Sequence, residues 1–436
     1  MLSVPQNYKK QVKKQQIKQK NKTENHMQTG NAIVGQSGGP TAAINATLSG
    51  VIRGALKAHE GGGIGTLYGM RNGVEGIFRK DYVNLSELFG GDEQLLTDLE
   101  HTPAAALGSC RKKLPADPAD PLYEKMFAEF ERLNIRYFFY IGGNDSMDTV
   151  AKLTKASELR RYEMRIMGVP KTIDNDLAGT DHTPGYGSAA KYIAVSVEEI
   201  IRDCNVYTVP AVTIVEIMGR DAGWLTAAAA LPSLVFGEGP DLVYLPERTF
   251  SVDCFLSDVR AALERHPAVV VAVSEGVRNA DGEYIGSLGQ SGAVDAFGHK
   301  YLAGTGKVLE GIVKENIGCK VRSIELSLPQ RCAAHMASRT DLEESVMIGS
   351  AAVGAAVAGK TGCVMSYRRK PGDTYGVTAE TTPVAEVANK IREVPAVFIN
   401  QEGNGITAEG LHYLLPLIQG ETAPRYVCGL PYQLKI

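Results

Sequence analysis

Two aspartates stand two residues apart in the segment Lys171-Thr-Ile-Asp-Asn-Asp176. In an extended chain, residues i and i+2 point to the same side, so Asp174 and Asp176 are predicted to share one site. Neighbouring carboxylates repel each other, and the pair makes chemical sense when one binds a divalent cation and the other accepts a proton. Lys171 offsets their charge and can bind a phosphate. The alternative interpretation is a capped surface turn that contains an ion pair.

Two glycine-rich loops each follow a predicted strand and precede a predicted helix. Gly38-Gly39 lies ahead of a helix carrying Ile44, and Gly142-Gly143 lies ahead of a helix running through Val150. Backbone N–H groups in such loops, with the positive end of the helix dipole, suit a phosphate. The two loops therefore indicate a phosphate cradle, although a glycine pair after a strand is also what a plain turn uses.

Four arginines complete a candidate anion site: Arg111, Arg220, Arg322 and Arg331. A single arginine is usually a surface residue. An arginine at the end of a strand and beside carboxylates, such as Arg220 after Met218-Gly219, more often binds an anion. A metal, cations around a moving phosphoryl group and an oriented nucleophile are the parts that phosphoryl transfer requires.

Short apolar runs, which predict strands, alternate with amphipathic helices, and the candidate residues above follow several of these strands. The predicted strands are Ala32–Val34, Tyr137–Ile141, Arg165–Val169, Val212–Ile217, Leu242–Leu245 and Ala268–Val273. Two helices show the apolar period of 3.6 residues. One apolar face carries Ile44, Leu48, Val51, Ile52 and Leu56, and the other carries Ile193, Val197, Ile200 and Ile201. This alternation predicts an α/β fold with a parallel sheet covered on both faces. Ligands in such folds bind beyond the carboxyl ends of the strands, where the glycine loops, carboxylates and cations lie.

The composition excludes several classes of protein. The 436 residues include 46 Lys and Arg against 49 Asp and Glu, and this net charge of −3 argues against a general nucleic-acid binder or a membrane-surface protein. Seven cysteines without a CxxC spacing support neither a disulfide framework nor a zinc site. No apolar run reaches the ~20 residues of a membrane span. We expect a cytoplasmic protein whose Lys- and Gln-rich residues 1–30 form a disordered tail.

Together these residues resemble the phosphofructokinase family, specifically its pyrophosphate-dependent branch, and Pro-Lys-Thr-Ile-Asp-Asn-Asp is a highly specific motif. The resemblance covers nearly everything from Asn31 onward. It implies two Rossmann-like α/β lobes with mainly parallel sheets and an active-site cleft between them. The donor lobe would comprise residues 31–187 and 331–395, and the fructose 6-phosphate lobe residues 188–330 and 396–436. The implied reaction, a step of glycolysis and gluconeogenesis, phosphorylates the 1-hydroxyl of fructose 6-phosphate with Mg²⁺ as cofactor.

The resemblance also implies a role for each matching residue. Asp174 would be the general base, and Lys171, Thr172 and Arg220 would assist catalysis. Asn144 and Asp176 would bind the metal. The donor would contact Gly38, Gly39, Arg111, Gly143, Asp145, Ser146 and Lys171. Fructose 6-phosphate would contact Thr172, Asp174, Met218, Gly219, Arg220, Glu247, Arg322 and Arg331.

Two positions indicate the phosphoryl donor. ATP-dependent members usually carry glycine where this chain has Asp145 and Lys171. The Asp145 carboxylate would crowd and repel the α-phosphate region of a nucleotide, whereas Lys171 can neutralise the terminal phosphate of a small, highly charged donor. Both effects favour pyrophosphate, and the alternative is an ATP-dependent 6-phosphofructokinase. Because pyrophosphate is close in energy to the ester that is formed, the reaction should be reversible.

This chain departs from the family pattern at three positions. Asn144 replaces a common aspartate, so metal affinity should fall or depend more on Asp176 and the donor's own oxygens. Leu328 replaces a sugar-phosphate-binding His or Tyr. These two losses motivate a different hypothesis, a non-catalytic sugar-phosphate-binding subunit. Ala211 replaces an arginine that bacterial tetramers insert into a neighbouring active site, which weakens that argument for oligomerisation; a homodimer or homotetramer is still expected.

Overall fold

A computed structural model describes residues 29–289, 304–372 and 374–436. The predicted tail, residues 1–30, lies outside these residues except at its end, where Gly30 begins the first strand. Within the described ranges no helix is both long and apolar enough to cross a membrane.

The strands, numbered in chain order, belong to two main sheets and one small hairpin. They are β1 (Gly30–Gln36), β2 (Ile64–Met70), β3 (Tyr82–Asn84), β4 (Ile135–Gly142), β5 (Arg165–Pro170), β6 (Ala211–Ile217), β7 (Leu242–Tyr244), β8 (Ala268–Ser274), β9 (Lys320–Glu325), β10 (Cys363–Arg369), β11 (Val377–Pro383), β12 (Tyr426–Val427) and β13 (Leu430–Pro431). Every strand predicted from the sequence is confirmed, and β7 ends one residue earlier than predicted, at Tyr244.

The helices cover the faces of the sheets. They are α1 (Ile44–Glu60), α2 (Glu75–Arg79), α3 (Leu85–Phe89), α4 (Glu93–Glu100), α5 (Pro121–Arg132), α6 (Asn144–Arg160), α7 (Tyr186–Cys204), α8 (Trp224–Ala228), α9 (Leu231–Phe236), α10 (Val252–Arg265), α11 (Thr305–Asn316), α12 (Pro329–Cys332), α13 (Arg339–Val357), α14 (Val384–Val387) and α15 (Ala408–Leu414). The two amphipathic faces predicted from the sequence lie on α1 and α7 and pack into separate apolar cores.

The larger sheet has seven strands in the order β11-β10-β5-β4-β1-β2-β3. Its interior pairs are parallel, and its two edge strands, β11 and β3, are antiparallel to their neighbours. The smaller sheet, β7-β8-β6-β9, is parallel throughout. The α/β class with mainly parallel sheets is therefore confirmed. The strands of the larger sheet come from residues 30–170 and 363–383 and those of the smaller from 211–325; the lobe boundaries at residues 187, 330 and 395 stay a prediction.

Helix α13 packs closely against α1, and glycine makes this approach possible. A Cβ atom built on Gly50 would lie 2.1 Å from the carbonyl oxygen of Val346, and one built on Gly349 would lie 2.2 Å from that of Thr47. Since real Cβ atoms do not approach backbone oxygens so closely, a side chain at either position would push the helices apart. The contact fixes the position of α1, which follows the loop that contains Gly38.

The register of the strands brings their carboxyl ends to common edges. Gln36 pairs with Ile141, and Gly142 pairs with Pro170, so β1, β4 and β5 end side by side. In the smaller sheet Ile217 pairs with Ser274, so Met218 and Glu275 leave that sheet together. These edges are where ligands bind in parallel α/β folds.

Candidate active site

The segment that carries both aspartates leaves β5 at Pro170 and is fastened by its backbone. The Lys171 N–H donates to Gly142 O over 3.0 Å, which joins the segment to the end of β4, and the Thr172 N–H donates to Pro184 O over 3.2 Å. The Thr172 hydroxyl accepts from the Asp174 N–H at 3.1 Å and donates to Asp174 Oδ2 at 3.3 Å. Thr172 therefore orients the carboxylate of Asp174.

The extended conformation expected between the two aspartates is wrong. Asn175, between them, has φ of 53°, in the left-handed region, so the segment is not extended there. Asp174 and Asp176 nevertheless line the same cavity. Asn175 is fully buried, and neither polar atom of its side-chain amide has a hydrogen-bond partner among the described residues.

Burial and mutual repulsion govern the two aspartates. Removal from water raises the pKa of Asp174, although the hydroxyl of Thr172 and the charge of Lys171 oppose this. Burial, and next to it the charge of Asp174, raises the pKa of Asp176 to about 7. Such a pair suits a site where one carboxylate accepts a proton and a bound cation neutralises the negative charge of the other.

Lys171 is almost completely buried, and its ammonium group donates to the carbonyl oxygen of Gly39. Burial lowers the pKa of Lys171 to about 8, with Arg331 and Arg111 lowering it further and Asp174 and Asp176 opposing them. The lysine thus carries a poorly solvated positive charge at the wall of the glycine loop. Such a charge attracts an anion more strongly than a solvated one does.

The two glycine loops differ in how they meet their helices. Gly143 is the residue directly before α6, as predicted, and Gly142 approaches the Ser146 hydroxyl so closely that a Cβ would lie 1.9 Å from it. Gly38 and Gly39 instead precede the first residue of α1, Ile44, by several residues. Gly38 has φ of 77°, which favours glycine, and Ser109 donates to its carbonyl oxygen at 2.6 Å. The loop at Gly38 is therefore held by contacts with other loops, which include the Gly38 N–H donating to Cys110 O at 3.2 Å, rather than by a helix start.

A cavity of about 400 Å³ collects most of the predicted residues. Its lining includes Gly38, Gly39, Gly143, Asn144, Asp145, Ser146, Lys171, Thr172, Asp174, Asp176, Met218 and Arg331. Catalytic, donor-binding and metal-binding candidates thus share one space, with Met218 contributed by the smaller sheet.

An adjoining cavity of about 300 Å³ shares Gly38, Gly39, Asp145 and Ser146 with the first. Its further lining includes Arg111, Lys112, Lys113 and Arg220. Asp145 is exposed and lies 3.6 Å from Lys113 Nζ, while the hydroxyls of Ser37 and Ser146 hydrogen-bond to each other. Asp145 therefore lines both cavities.

Arg220 follows β6, and its charge acts on Glu275, a half-buried glutamate that was not predicted from the sequence. The Gly219 N–H approaches Glu275 Oε1 at 3.4 Å, and burial raises the pKa of Glu275 to about 7 although the charge of Arg220 opposes this. Arg220 Nε is buried without a hydrogen-bond partner among the described residues. The arginine therefore retains a donor for an anionic ligand. Gly219 has φ of 128°, and Met218 N donates to Gln330 Oε1 at 3.2 Å.

Glu247 and Arg322 line neither of these cavities. Glu247 Oε1 accepts from the Gly223 N–H at 2.8 Å and from the Val394 N–H at 2.9 Å, while its Oε2 is buried without a partner in the described chain. Arg322 is exposed on β9, an edge strand. Arg331 does line the larger cavity, but the sugar-binding roles of all three residues stay predictions.

Several residues at the site were not predicted from the sequence: Asp221, Lys112, Lys113 and Ile391 line the cavities, and Glu275 accepts from the Gly219 N–H. Glu275 had a usable signal, because it follows an apolar run in the same way as Asp174 and Arg220. Asp221 directly follows the predicted Arg220, and the two lysines follow the predicted Arg111. Ile391 gave no signal, since it reaches the cavity through its bridge with Leu177 from a distant part of the chain.

The metal prediction is compatible with the side chains present. Asn144 Oδ1 is buried without a hydrogen-bond partner among the described residues, and it lines the same cavity as Asp176. Across residues 29–289, 304–372 and 374–436, no three His, Cys, Asp or Glu side chains cluster closely enough to hold a metal by themselves. A hard cation would therefore take few ligands from the protein and the rest from substrate oxygens and water, as Mg²⁺ commonly does.

Comparisons with known proteins agree with this geometry. A family model described as phosphofructokinase matches residues 31–355. A pyrophosphate–fructose 6-phosphate 1-phosphotransferase from Halomonas elongata is 40% identical over 411 residues, which are 93% of this chain and 96% of the relative. A protein of the same name from Methylococcus capsulatus is 39% identical over 92% of this chain and 94% of its own. The crystal structure of a pyrophosphate-dependent phosphofructokinase from Nitrosospira multiformis superposes with a TM-score of 0.83 at 36% identity, covering 93% of this chain and 96% of that one.

Proposed function

The chain belongs to the phosphofructokinase family, and we propose that it reversibly transfers a phosphoryl group from pyrophosphate to the 1-hydroxyl of fructose 6-phosphate. The products are fructose 1,6-bisphosphate and phosphate. The names of its relatives support the donor and the acceptor. The proposal rests above all on one observation: the buried ammonium group of Lys171 lies against the glycine loop in the same cavity as Asp174.

The proton of the sugar hydroxyl goes to Asp174. Its carboxylate lines the cavity, Thr172 orients it, and burial raises its pKa, which makes it a better proton acceptor than a solvated aspartate. As the proton leaves, the 1-oxygen forms a bond to the nearer phosphorus of pyrophosphate. The bond between that phosphorus and the bridging oxygen breaks, and the departing phosphate keeps the electron pair.

Cations of this chain offset the charge that moves during transfer. Lys171 lies where it can neutralise the donor, and Arg220 lines the adjoining cavity with a buried Nε free of partners among the described residues. Arg111 lines that cavity as well. Fixed positive groups that need no rearrangement stabilise a phosphoryl-transfer transition state most effectively.

A divalent cation belongs to the general chemistry of this family, and we assign Mg²⁺ to Asn144 Oδ1 and Asp176. When bound, it would neutralise pyrophosphate oxygens and hold the donor in line with the acceptor. Two observations support this ligand pair: Asn144 Oδ1 has no hydrogen-bond partner among the described residues, and the pKa of Asp176 is raised.

The donor is decided by a steady-state assay of the purified protein with fructose 6-phosphate and either pyrophosphate or ATP. We expect a clear preference for pyrophosphate in kcat/KM and a measurable reverse reaction from fructose 1,6-bisphosphate and phosphate. A preference for ATP would replace the donor proposal by the ATP-dependent alternative. Absence of turnover with either donor, together with binding of fructose 6-phosphate, would favour a non-catalytic subunit.

The assembly of the protein stays a prediction. We propose a homodimer or homotetramer, which analytical ultracentrifugation of the purified chain would test directly. Arg322 is exposed on the edge strand β9, and its proposed sugar-binding role is tested by the calorimetric affinity of Arg322→Met for fructose 6-phosphate.

A further inference from the structure

Residues 389–394, named here the crossing segment, contact both sides of the active site. Asn144 Nδ2 donates to Lys390 O at 3.0 Å, and Ile391 forms a β-bridge with Leu177 just after the catalytic aspartates. At the other end, the Val394 N–H donates to Glu247 Oε1 at 2.9 Å. The segment thus joins a candidate metal ligand, the aspartate segment and the residues that follow β7.

Arg392 is the centre of these contacts. Its backbone N–H donates to Asp176 O at 2.7 Å, and its guanidinium Nη1 donates to Asn175 O at 3.2 Å. The guanidinium carbon lies 4.1 Å from the ring centre of Trp224, whose Nε1 donates back to Arg392 O at 2.9 Å. Nη2 donates to the Tyr413 hydroxyl at 2.9 Å. One residue therefore binds two consecutive carbonyls of the catalytic segment and is itself held by stacking and by two aromatic side chains.

The carbonyls that Arg392 binds belong to the part of the segment where the backbone leaves the extended conformation. Asn175 adopts the left-handed conformation, which asparagine tolerates better than other residues with a Cβ but usually with the help of a local side-chain hydrogen bond, and its buried amide makes no such bond among the described residues. This conformation decides where the carboxylates on either side of Asn175 point. Contacts from outside the segment must hold it, and those of Arg392 reach the Asn175 carbonyl itself.

We propose that Arg392 is a positioning residue that fixes the backbone of Asn175 and Asp176, and so aims the carboxylates of Asp174 and Asp176 at the reacting groups. The inference rests on the proposed function, because it concerns the same reaction. Arg392 does not touch substrate in this assignment. Loss of its guanidinium would misalign the base more than it would weaken binding of fructose 6-phosphate.

The test compares Arg392→Met and Arg392→Lys with a matched control, Arg369→Met. Arg369 also stacks on Tyr413, at 4.2 Å, and its guanidinium binds Asp181 at 3.0 Å instead of the aspartate segment. Turnover is measured with pyrophosphate and with ATP, so that an error in the donor does not obscure the comparison. Calorimetry gives the affinity for fructose 6-phosphate, and thermal unfolding gives Tm.

We expect Arg392→Met to lower kcat by about 10²-fold, while KM and the calorimetric affinity for fructose 6-phosphate stay within about threefold of wild type. Arg392→Lys keeps the charge and a single donor but loses the planar fork, so its loss of kcat should be about tenfold with a Tm near that of wild type. Arg369→Met should lower Tm yet keep kcat within about threefold.

Several results would overturn the inference. One is a kcat for Arg392→Met within threefold of wild type, and another is an equal loss of kcat in the two methionine variants that follows their loss of Tm. If Arg392→Met does not fold, a wild-type kcat for Arg392→Lys would be decisive against it. A wild-type protein that is inactive with both donors would instead refute the proposed function, and with it the positioning role.

Discussion

Lys171 donates from a buried ammonium group to the carbonyl oxygen of Gly39, and this contact joins the aspartate segment after β5 to the glycine loop after β1. The bonded partner is a neutral oxygen rather than a carboxylate. The positive charge is therefore not consumed by an ion pair at hydrogen-bond distance, and it remains effective for an anionic donor in the cavity.

We predict that Lys171→Met removes pyrophosphate use and stabilises the fold at neutral pH. The loss of one preorganised cation should lower kcat/KM for pyrophosphate by about 10²–10³-fold. Burial lowers the pKa of Lys171 to about 8 from an ordinary value of 10.5, so the protonated lysine destabilises the folded state below pH 8. This destabilisation disappears as the pH rises from about 8 through 10.5.

Thermal unfolding at pH 7 and pH 10 checks the second half of that prediction. The variant should have the higher Tm at pH 7, and its advantage should shrink at pH 10. Lys155→Met, on the exposed face of α6, serves as the control and should change neither Tm nor activity. A Tm for Lys171→Met below that of wild type at pH 7 would contradict the assignment of a costly buried charge.

We expect the double substitution Asp145→Gly with Lys171→Gly to weaken pyrophosphate use and to move the ratio of kcat/KM values toward ATP. Removing the exposed carboxylate of Asp145 takes a side chain and a negative charge from the lining of both cavities and leaves Lys113 without its partner at 3.6 Å. Steady-state kinetics with both donors measure the change. Asp145→Gly alone separates the steric contribution from the charge of Lys171, and unchanged donor kinetics in the double variant would show that these side chains do not select the donor.

The sequence predicts much of the site because local rules are sufficient for it. A polar residue directly after a buried strand lies at the edge where ligands bind, and this holds for Lys171 after β5 and for Arg220 after β6. The same rule applied to β8 would have found Glu275. Strand periodicity was sufficient for the order of elements but not for the backbone of Asn175, whose left-handed conformation replaces the extended chain that was expected.

Contacts between distant parts of the chain could not be predicted in this way. The hydrogen bond from Arg392 to Asn175 spans 217 residues. Neither residue shows a periodic or spacing signal that links it to the other, and both lie outside the regular strands and helices. The approach of Lys113 to Asp145 is similar, because two exposed residues meet over the mouth of a cavity that the sequence does not describe.

Asp174→Asn tests the general base. Asparagine keeps the shape of the side chain and its contact with Thr172, but it cannot accept the proton of the sugar hydroxyl. We expect kcat to fall by about 10²–10⁴-fold with little change in the affinity for fructose 6-phosphate. Steady-state kinetics and calorimetry give the two quantities, with Tm as a check on folding. Turnover like that of wild type would refute the assignment of Asp174.

The final prediction concerns Asn144, where two physical effects oppose each other. Asn144→Asp adds a negative charge beside Asp176, which should strengthen the binding of a divalent cation. The new carboxylate loses the Nδ2 donor to Lys390 O at 3.0 Å, however, and faces that carbonyl without a proton. We expect the stronger binding of the cation to outweigh the loss of this hydrogen bond. The attraction between a carboxylate and a divalent ion in a poorly solvated site exceeds the contribution of one neutral hydrogen bond, which is about 1 kcal/mol.

The concentration of Mg²⁺ that gives half-maximal activity should therefore fall several-fold in Asn144→Asp, while Tm without the metal should decrease. Asn144→Ala is the matched control: it removes both the oxygen ligand and the Nδ2 donor, so its Mg²⁺ requirement should increase. Equal Mg²⁺ requirements in wild type and both variants would show that residue 144 does not contact the cation. An increased requirement in both variants would mean that the bond to Lys390, and hence the position of the crossing segment, matters more than the charge that Asn144→Asp adds.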